Sequence, residues 1–297
     1  MKRSSVLKRI VALILAVMIA AVMVPGEAQA AKKKTGWVTK KGYKYYYDEE
    51  GKLQTGFVEI KGNTYYFAPK KITTKITGSS ETIVPKGAML KGWYKIKKKY
   101  YYFDRSTGKM AKNKKVDAIK LTKTGAAKTS SYNKKKMNLM ILARERMMVL
   151  TNASDKKEAK LKKCFDWCKK TPYIGYHFLK NERSKKGWDI LFASDILDPS
   201  AHTTAAGECT AMAASFAYLA HECGYKTVYI VDDDRSLKGD NHSWAEINGK
   251  IYDPLFARTS GKGGDEANFG GTYKSSDYGH VKINTLEISS GKIVHGK

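Results

Sequence analysis

Two different apolar periods divide the chain. From residue 35 to about 110 the apolar positions are aromatic, paired and separated by short polar turns, whereas from residue 137 they recur at helical spacing. In the first region Thr35-Gly36-Trp37 returns as Thr55-Gly56-Phe57, Gly42 as Gly62, and Tyr45-Tyr46-Tyr47 as Tyr65-Tyr66-Phe67, a period of 20 residues. After an insertion the unit reappears as Gly92-Trp93, Tyr101-Tyr102-Phe103 and Gly108-Lys109-Met110. Each unit predicts two short aromatic strands joined by a Gly or Asn turn, as in Lys61-Gly62-Asn63. A single hairpin cannot bury its apolar face alone, so the units are expected to stack into an all-β hairpin-repeat solenoid over residues 33–115. The insertion, Lys70 to Lys86, is rich in Thr, Lys and Ile and points to no chemistry. Residues 116–136, rich in Lys, Thr, Ser and Ala, read as a linker.

Residues 137–297 read as one α+β domain. Met137 to Leu150 predicts a helix, and a second is expected from Ser154 or Asp155, with Glu158 completing a capping box. Leu161, Cys164, Phe165 and Cys168 fall on one face of that second helix, which makes the two cysteines core residues rather than a metal or redox pair. Cys209 to Glu222 is apolar nearly all round and stops at Gly224, so it predicts a central buried helix. Thr227 to Val231 reads as a buried strand and Asp232-Asp233-Asp234 as a solvated turn, since calcium loops alternate their acids and carry a glycine. Finally, His242 to Ile247 and Lys250 to Phe256 flank Asn248-Gly249, the strongest two-residue hairpin signal.

Charge and termini place these domains. Lys2, Arg3, Lys8 and Arg9 precede an apolar stretch from Ile10 to Val24, and Ala28-Gln29-Ala30 is a small-x-small cleavage pattern. Residues 1–30 therefore read as a signal peptide, with no retained transmembrane segment and a product that is secreted. The formal net charge is +27, and residues 31–115 hold 22 Lys and Arg against 6 Asp and Glu. An exported basic surface meets anionic wall polymers before it meets nucleic acid, so no nucleic acid partner is expected. Four cysteines are too few and too irregular for a disulfide framework. No metal or cofactor is expected.

The candidate chemistry lies in the second domain. Cys209 is placed at the first turn of its helix, where free N–H groups and the helix dipole favour a thiolate, while Cys223 at the far end should be inert. The Asn248-Gly249 turn pairs Ile247 with Lys250 and puts Asp253 on the same face as His242, on a diagonal short enough for a hydrogen bond. A thiol, an imidazole base and an orienting carboxylate together make a nucleophile with general acid–base support. The backbone N–H of Cys209 is the expected oxyanion donor, with His202 or a loop residue before Cys209 as the candidate for the second.

Two resemblances extend this reading. The Gly-Trp…Tyr-Tyr-Phe unit resembles the cell-wall-binding repeats of Gram-positive surface proteins, of the choline-binding and glucan-binding type. That resemblance implies wall-ligand contacts at Trp37, Tyr46, Phe57, Tyr66, Trp93 and Tyr102, and attachment to the cell wall. Phe57 departs from the usual tryptophan, and the dense lysines favour teichoic acid or a glycan over choline. Gly-x-Cys opening an apolar helix, then His-x-Trp and Tyr-Asp-Pro, with Lys163-Cys164-Phe165-Asp166-Trp167 upstream, resembles the transglutaminase-like superfamily. It implies a papain-like α+β fold with Cys209, His242 and Asp253 as the catalytic triad, although the 11 residues from His242 to Asp253 are a short separation. The expected activity is that of a cysteine enzyme acting on protein or peptide amides through a thioester, as a peptidase in preference to a crosslinking transglutaminase. The alternative from another class is a wall-binding adhesin with a catalytically inactive second domain.

Overall fold

The computed structural model describes residues 33–234, 242–273 and 279–296. The signal-peptide reading and Asn241 lie outside the described residues. Each repeat folds as an antiparallel hairpin. These are β1 (Gly36–Lys40) with β2 (Tyr43–Tyr47), β3 (Gly56–Ile60) with β4 (Asn63–Phe67), and, beyond the insertion, β7 (Gly92–Ile96) with β8 (Lys99–Phe103). Every connection is a two-residue turn with both residues at positive φ: Lys41-Gly42, Lys61-Gly62 and Lys97-Lys98. That backbone matches the twist of the strands it joins. Gly42 has a second reason to be glycine, because a Cβ there would lie 2.4 Å from the backbone nitrogen of Ser154. The first hairpin thus touches the second domain directly.

Two stretches depart from expectation. The insertion forms β5 (Ile72–Thr74) and β6 (Glu81–Val84), and docks on the first helix through a Thr74 hydroxyl that donates to Glu145 at 2.7 Å and an Arg146 guanidinium that donates to the Ile76 carbonyl at 2.9 Å. The expected linker is instead packed β structure. Within it β9 (Lys115–Val116) pairs with β10 (Ile119–Lys120), Leu121 bridges to Ala127, and Ile119 and Leu121 are buried with Trp93 and Tyr102. Alternating apolar residues in a lysine-rich stretch were enough to close the end of the repeat array.

Among its described residues the second domain wraps four longer helices and three short ones around an antiparallel sheet. Helix α1 (Ser131–Leu150) starts six residues before the expected Met137, because the Ser130 hydroxyl accepts the Asn133 N–H and caps it there. In α2 (Lys157–Lys169) the expected capping box does not form, since Asp155 accepts from the Asn152 N–H and pairs with Lys163. A short turn α3 (Leu179–Glu182) and α4 (Trp188–Leu197) lead to α5 (Cys209–Glu222), every residue of which is buried. The strands are β11 (Val228–Asp232), β12 (Ser243–Ile247), β13 (Lys250–Tyr252), β14 (Phe269–Gly271), β15 (Asn284–Glu287) and β16 (Ile293–His295), ordered β14-β13-β12-β11-β15-β16. Ile247 lies opposite Lys250 and Ala245 opposite Tyr252 across the Asn248-Gly249 turn. The second strand of this hairpin ends at Tyr252 rather than Phe256, because Asp253 caps and Pro254 begins α6 (Pro254–Arg258), which α7 (Gly264–Asn268) follows. Asp232-Asp233-Asp234, at the end of β11, is no solvated turn: Arg183 bonds Asp232 at 3.0 Å and lies 3.6 Å from Asp234, and Arg183, Asp232 and Asp234 are buried. Among the described residues no helix is long and apolar enough to cross a membrane.

Candidate active site and aromatic surface

Asp253 organises the site. One carboxylate oxygen accepts the backbone N–H groups of Leu255 and Phe256, each at 3.0 Å, which is the N-cap of α6. The other accepts from Nε2 of His242 at 2.5 Å and from Nε2 of His280 at 2.9 Å. Burial would raise its pKa, but the imidazole and backbone donors outweigh burial and hold it below the ordinary carboxylate range. An ionised carboxylate can only accept, so Nε2 carries the hydrogen in both histidines and Nδ1 of neutral His242 bears the lone pair. The His242 ring is clamped flat on Phe256, with centroids 3.8 Å apart and planes 5° from parallel. His280 lies edge-on to Trp244 at 4.8 Å.

Cys209 opens α5 beside the start of β12. Its neighbour Thr210 meets the Ser243 hydroxyl at 3.0 Å, and the Ser243 backbone N–H bonds toward the thiol. Ser243 follows His242 directly, so Cys209 and His242 stand at adjoining ends of α5 and β12. The expected thiolate is not what the local charges favour. Glu208 is the N-cap residue: one oxygen accepts from Thr210 and Ala211 N–H, and the other accepts the Cys209 S–H at 3.0 Å. A carboxylate therefore occupies the helix end whose positive dipole was to stabilise sulfur. Burial first, then the Glu208 charge and hydrogen bond, push the Cys209 thiol well above its ordinary pKa.

Glu208→Gln keeps the cap acceptor and removes the charge. Alkylation of Cys209 by iodoacetamide at pH 8 should then quicken several-fold, because the charge that opposes the thiolate is gone. An unchanged rate would mean that burial alone sets the thiol.

The remaining cysteines behave as core. Cys164 and Cys168 are buried, Cys223 caps the far end of α5, and its sulfur lies 3.9 Å from that of Cys164. His202, the candidate second oxyanion donor, is tied to Asp195 and stacked on Tyr176. Glu208 and His280 were not singled out from sequence. Glu208 carried a signal, since an acid directly before an apolar helix is a cap. His280 lies 27 residues beyond its carboxylate partner and carried none.

A second surface runs along the hairpins. Trp37, 43% exposed, meets Tyr46 of its own hairpin at 5.2 Å and Tyr65 of the next at 5.1 Å. Phe57, 46% exposed, repeats this with Tyr66 at 4.7 Å and Tyr101 at 5.3 Å. Each cluster thus takes two rings from one hairpin and one from its successor. Trp93 and Tyr102, expected in the same role, are buried, and Trp93 donates to Asp117 at 2.7 Å. Among the described residues no further aromatic repeat follows the third hairpin, and the short β9–β10 hairpin closes over it. Tyr65 and Tyr101 stand in the clusters instead.

Comparison with known proteins reaches the repeats. Residues 85–114 match the family model described as a choline-binding repeat, and residues 35–53 and 55–70 match the cell wall binding repeat. No curated protein matches the chain. Among solved structures, the choline binding domain of Spr1274 from Streptococcus pneumoniae is 24% identical, over 33% of this chain and 99% of that one, with a TM-score of 0.26. The choline-binding domain of CbpL from Streptococcus pneumoniae is 25% identical, over 32% of this chain and 43% of that one, with a TM-score of 0.23. CbpJ from Streptococcus pneumoniae is 24% identical, over 32% of this chain and 34% of that one, with a TM-score of 0.15. The chain thus spans under half the length of the latter two. The hairpins within residues 35–70 and 85–114 are repeats of the choline-binding, cell-wall-binding type.

Proposed function

We propose that this is a wall-attached cysteine enzyme of the transglutaminase-like, papain-like type, bound through its aromatic repeats and acting on protein or peptide amides. The polarity of the His242–Asp253 pair carries the catalytic half of this reading. With Nε2–H fixed on Asp253, Nδ1 of His242 is left to act as the base, and Ser243, the next residue along, bonds toward the Cys209 thiol through its backbone. Nδ1 takes the thiol proton as sulfur adds to the amide carbonyl, and returns it to the amine as the C–N bond breaks. A thioester remains on Cys209. Water then adds to it and the S–C bond breaks, giving acid and thiol, and a lysine amine in place of water would give a crosslink. Hydrolysis is the preferred outcome. Tyr173, exposed and close enough to Cys209 and Glu208 to feel their charge, offers the donor chain an aromatic rim.

The wall half rests on the repeat matches and the two aromatic clusters. Three convergent rings hold a quaternary ammonium by cation–π attraction, and the lysine-rich strands attract phosphate. A choline-bearing teichoic acid offers both groups, which ranks choline higher than charge alone did. The protein should sediment with such walls and be released by free choline, and Trp37→Ala or Phe57→Ala should weaken the binding. Complete release by salt alone would assign binding to the lysines.

A second reading has its own support. The comparisons extend only to the repeats, and Glu208 disfavours the thiolate, both of which suit an adhesin with an inactive second domain. Mass spectrometry of a proteome treated with wild type and with Cys209→Ala separates the readings. New termini, Gln–Lys crosslinks or Gln→Glu conversions that depend on Cys209 support the enzyme, each marking a different reaction. Identical proteomes would leave the adhesin.

A further inference from the structure

A second histidine–carboxylate cluster stands apart from Asp253. Asp195 projects from α4 and is buried, its side chain only 2% exposed. His177 Nδ1 lies 3.0 and 2.9 Å from its two oxygens, and His202 Nε2 lies 2.8 Å from the first of them. The three residues come from separate segments, the loop before α3, α4 itself and the loop that leads to Cys209. No spacing in the sequence announces them.

Another buried histidine shows what a purely structural pair looks like in this chain. His221 has Nε2 on Asp117 at 2.8 Å and Nδ1 on the Tyr225 carbonyl at 3.1 Å, and Arg105 lies 3.6 Å from the same carboxylate. Both ring nitrogens are used there, and a guanidinium balances the charge. Asp195 differs on each count. Among the described residues its only ionic partners are the two imidazoles, and the outer nitrogens, His177 Nε2 and His202 Nδ1, have no protein partner. A dry carboxylate whose partners are imidazoles, with no guanidinium or ammonium beside it, is a natural seat for a cation.

We infer that His177, Asp195 and His202 form a binding site for a borderline divalent cation, with Zn²⁺ the best fit. Two imidazoles and one carboxylate suit Zn²⁺ and its transition-metal neighbours, whereas Ca²⁺ and Mg²⁺ want oxygen. The three ligand atoms already lie within 4.8 Å of one another. Tetrahedral zinc, with ligands at about 2.0–2.2 Å, separates its donors by roughly 3.3 Å, so the two nitrogen–oxygen pairs need open by only about half an ångström, and the two nitrogens already lie within 4.8 Å of each other. The rings are held ready: His202 stacks on Tyr176 at 3.6 Å, and the Tyr176 hydroxyl donates to Thr204 at 3.0 Å. His177 and His202 keep 28% and 23% of their side chains exposed, which gives an ion access and leaves a face for water as a fourth ligand. The cation would pin the loop before Cys209 to the segment that carries Tyr173.

The test uses the full-length protein after chelator treatment, titrated with Zn²⁺ against a chromophoric chelator and separately with Co²⁺. One equivalent of Zn²⁺ should bind and raise the melting temperature. Co²⁺ should give visible d–d bands without a thiolate charge-transfer band in the near ultraviolet. His177→Ala and Asp195→Asn should weaken Zn²⁺ by more than about 100-fold, since loss of an outer-shell partner alone costs about 10–100-fold. His202→Phe keeps the stack on Tyr176 while removing the ligand, so it should fold normally and still lose the metal. No stoichiometric binding by wild type, full binding by folded His202→Phe, or a thiolate band that places the ion on Cys209 would each overturn the assignment.

Discussion

Asp253→Asn should fold and yet lose nearly all reactivity at Cys209. The asparagine oxygen can keep capping α6 through Leu255 and Phe256, but its amide nitrogen then faces Nε2 of His242 and His280 as a donor. To accept from it, His242 must move its hydrogen to Nδ1, and the thiol loses its base. Wrong-tautomer imidazoles of this kind cost about 10⁴-fold in turnover where they have been tested in serine enzymes, and a loss on the order of 10³–10⁴ is expected here. Stability should fall by only about 1–2 kcal/mol, the scale of exchanging buried hydrogen bonds. Asp253→Ala is harsher, because it strands two backbone donors and two imidazoles in a fully buried place, and should cost about 3–5 kcal/mol. Urea melts and iodoacetamide rates on the same samples separate the two effects. If Asp253→Asn alkylates Cys209 as fast as wild type, the carboxylate does not set the tautomer of His242 and the proposed base role fails.

The local code of this chain was readable where neighbours in sequence are neighbours in space. Asn248-Gly249 dictates a two-residue turn, and the strand alternation that follows brings Asp253 to the side of His242. The hairpin repeats are legible for the same reason. What sequence hid depends on contacts made at a distance or on ends. Trp93 looks like Trp37 in its own hairpin and is buried because nothing stacks beyond it except β9 and β10. The thiolate expected at Cys209 fails on Glu208, one residue away, because a helix N-terminus can serve a capping carboxylate or a sulfur anion, and here the carboxylate has the backbone donors. His280, His177 and Asp195 reach their partners only through tertiary folding. No periodicity in the sequence marks them.

Asp117 ties the repeats to the second domain, and its replacement should have a large effect on stability. Its oxygens accept the Trp93 indole N–H at 2.7 Å and face His221 Nε2 at 2.8 Å, while Arg105, 3.6 Å away, is also paired with Glu222 at 2.5 Å. Trp93 and Tyr102 come from the third hairpin, whereas His221 and Glu222 end α5, so one carboxylate joins both halves of the core. Asp117→Asn keeps the size and tolerates the positive φ of 51° at this position, but removes the charge that faces Arg105 and turns an amide donor toward a donor, Trp93 or His221. Breaking a buried ionic network in this way costs about 3–5 kcal/mol. The effect should appear first as a red shift of Trp93 emission, at a urea concentration where the far-ultraviolet signal of the helices is still intact. Acid should act on the same contact. Burial raises the Asp117 pKa, but His221 and Arg105 outweigh it and hold the carboxyl well below its unfolded value of about 3.9. Its stabilisation is therefore complete above that value and drains away as pH falls through the folded one. Wild type should lose stability steeply below about pH 4, and Asp117→Asn, already without the charge, should show a shallower slope there. Equal slopes in the two proteins would mean that other carboxylates carry the acid sensitivity and that Asp117 joins the halves by shape alone.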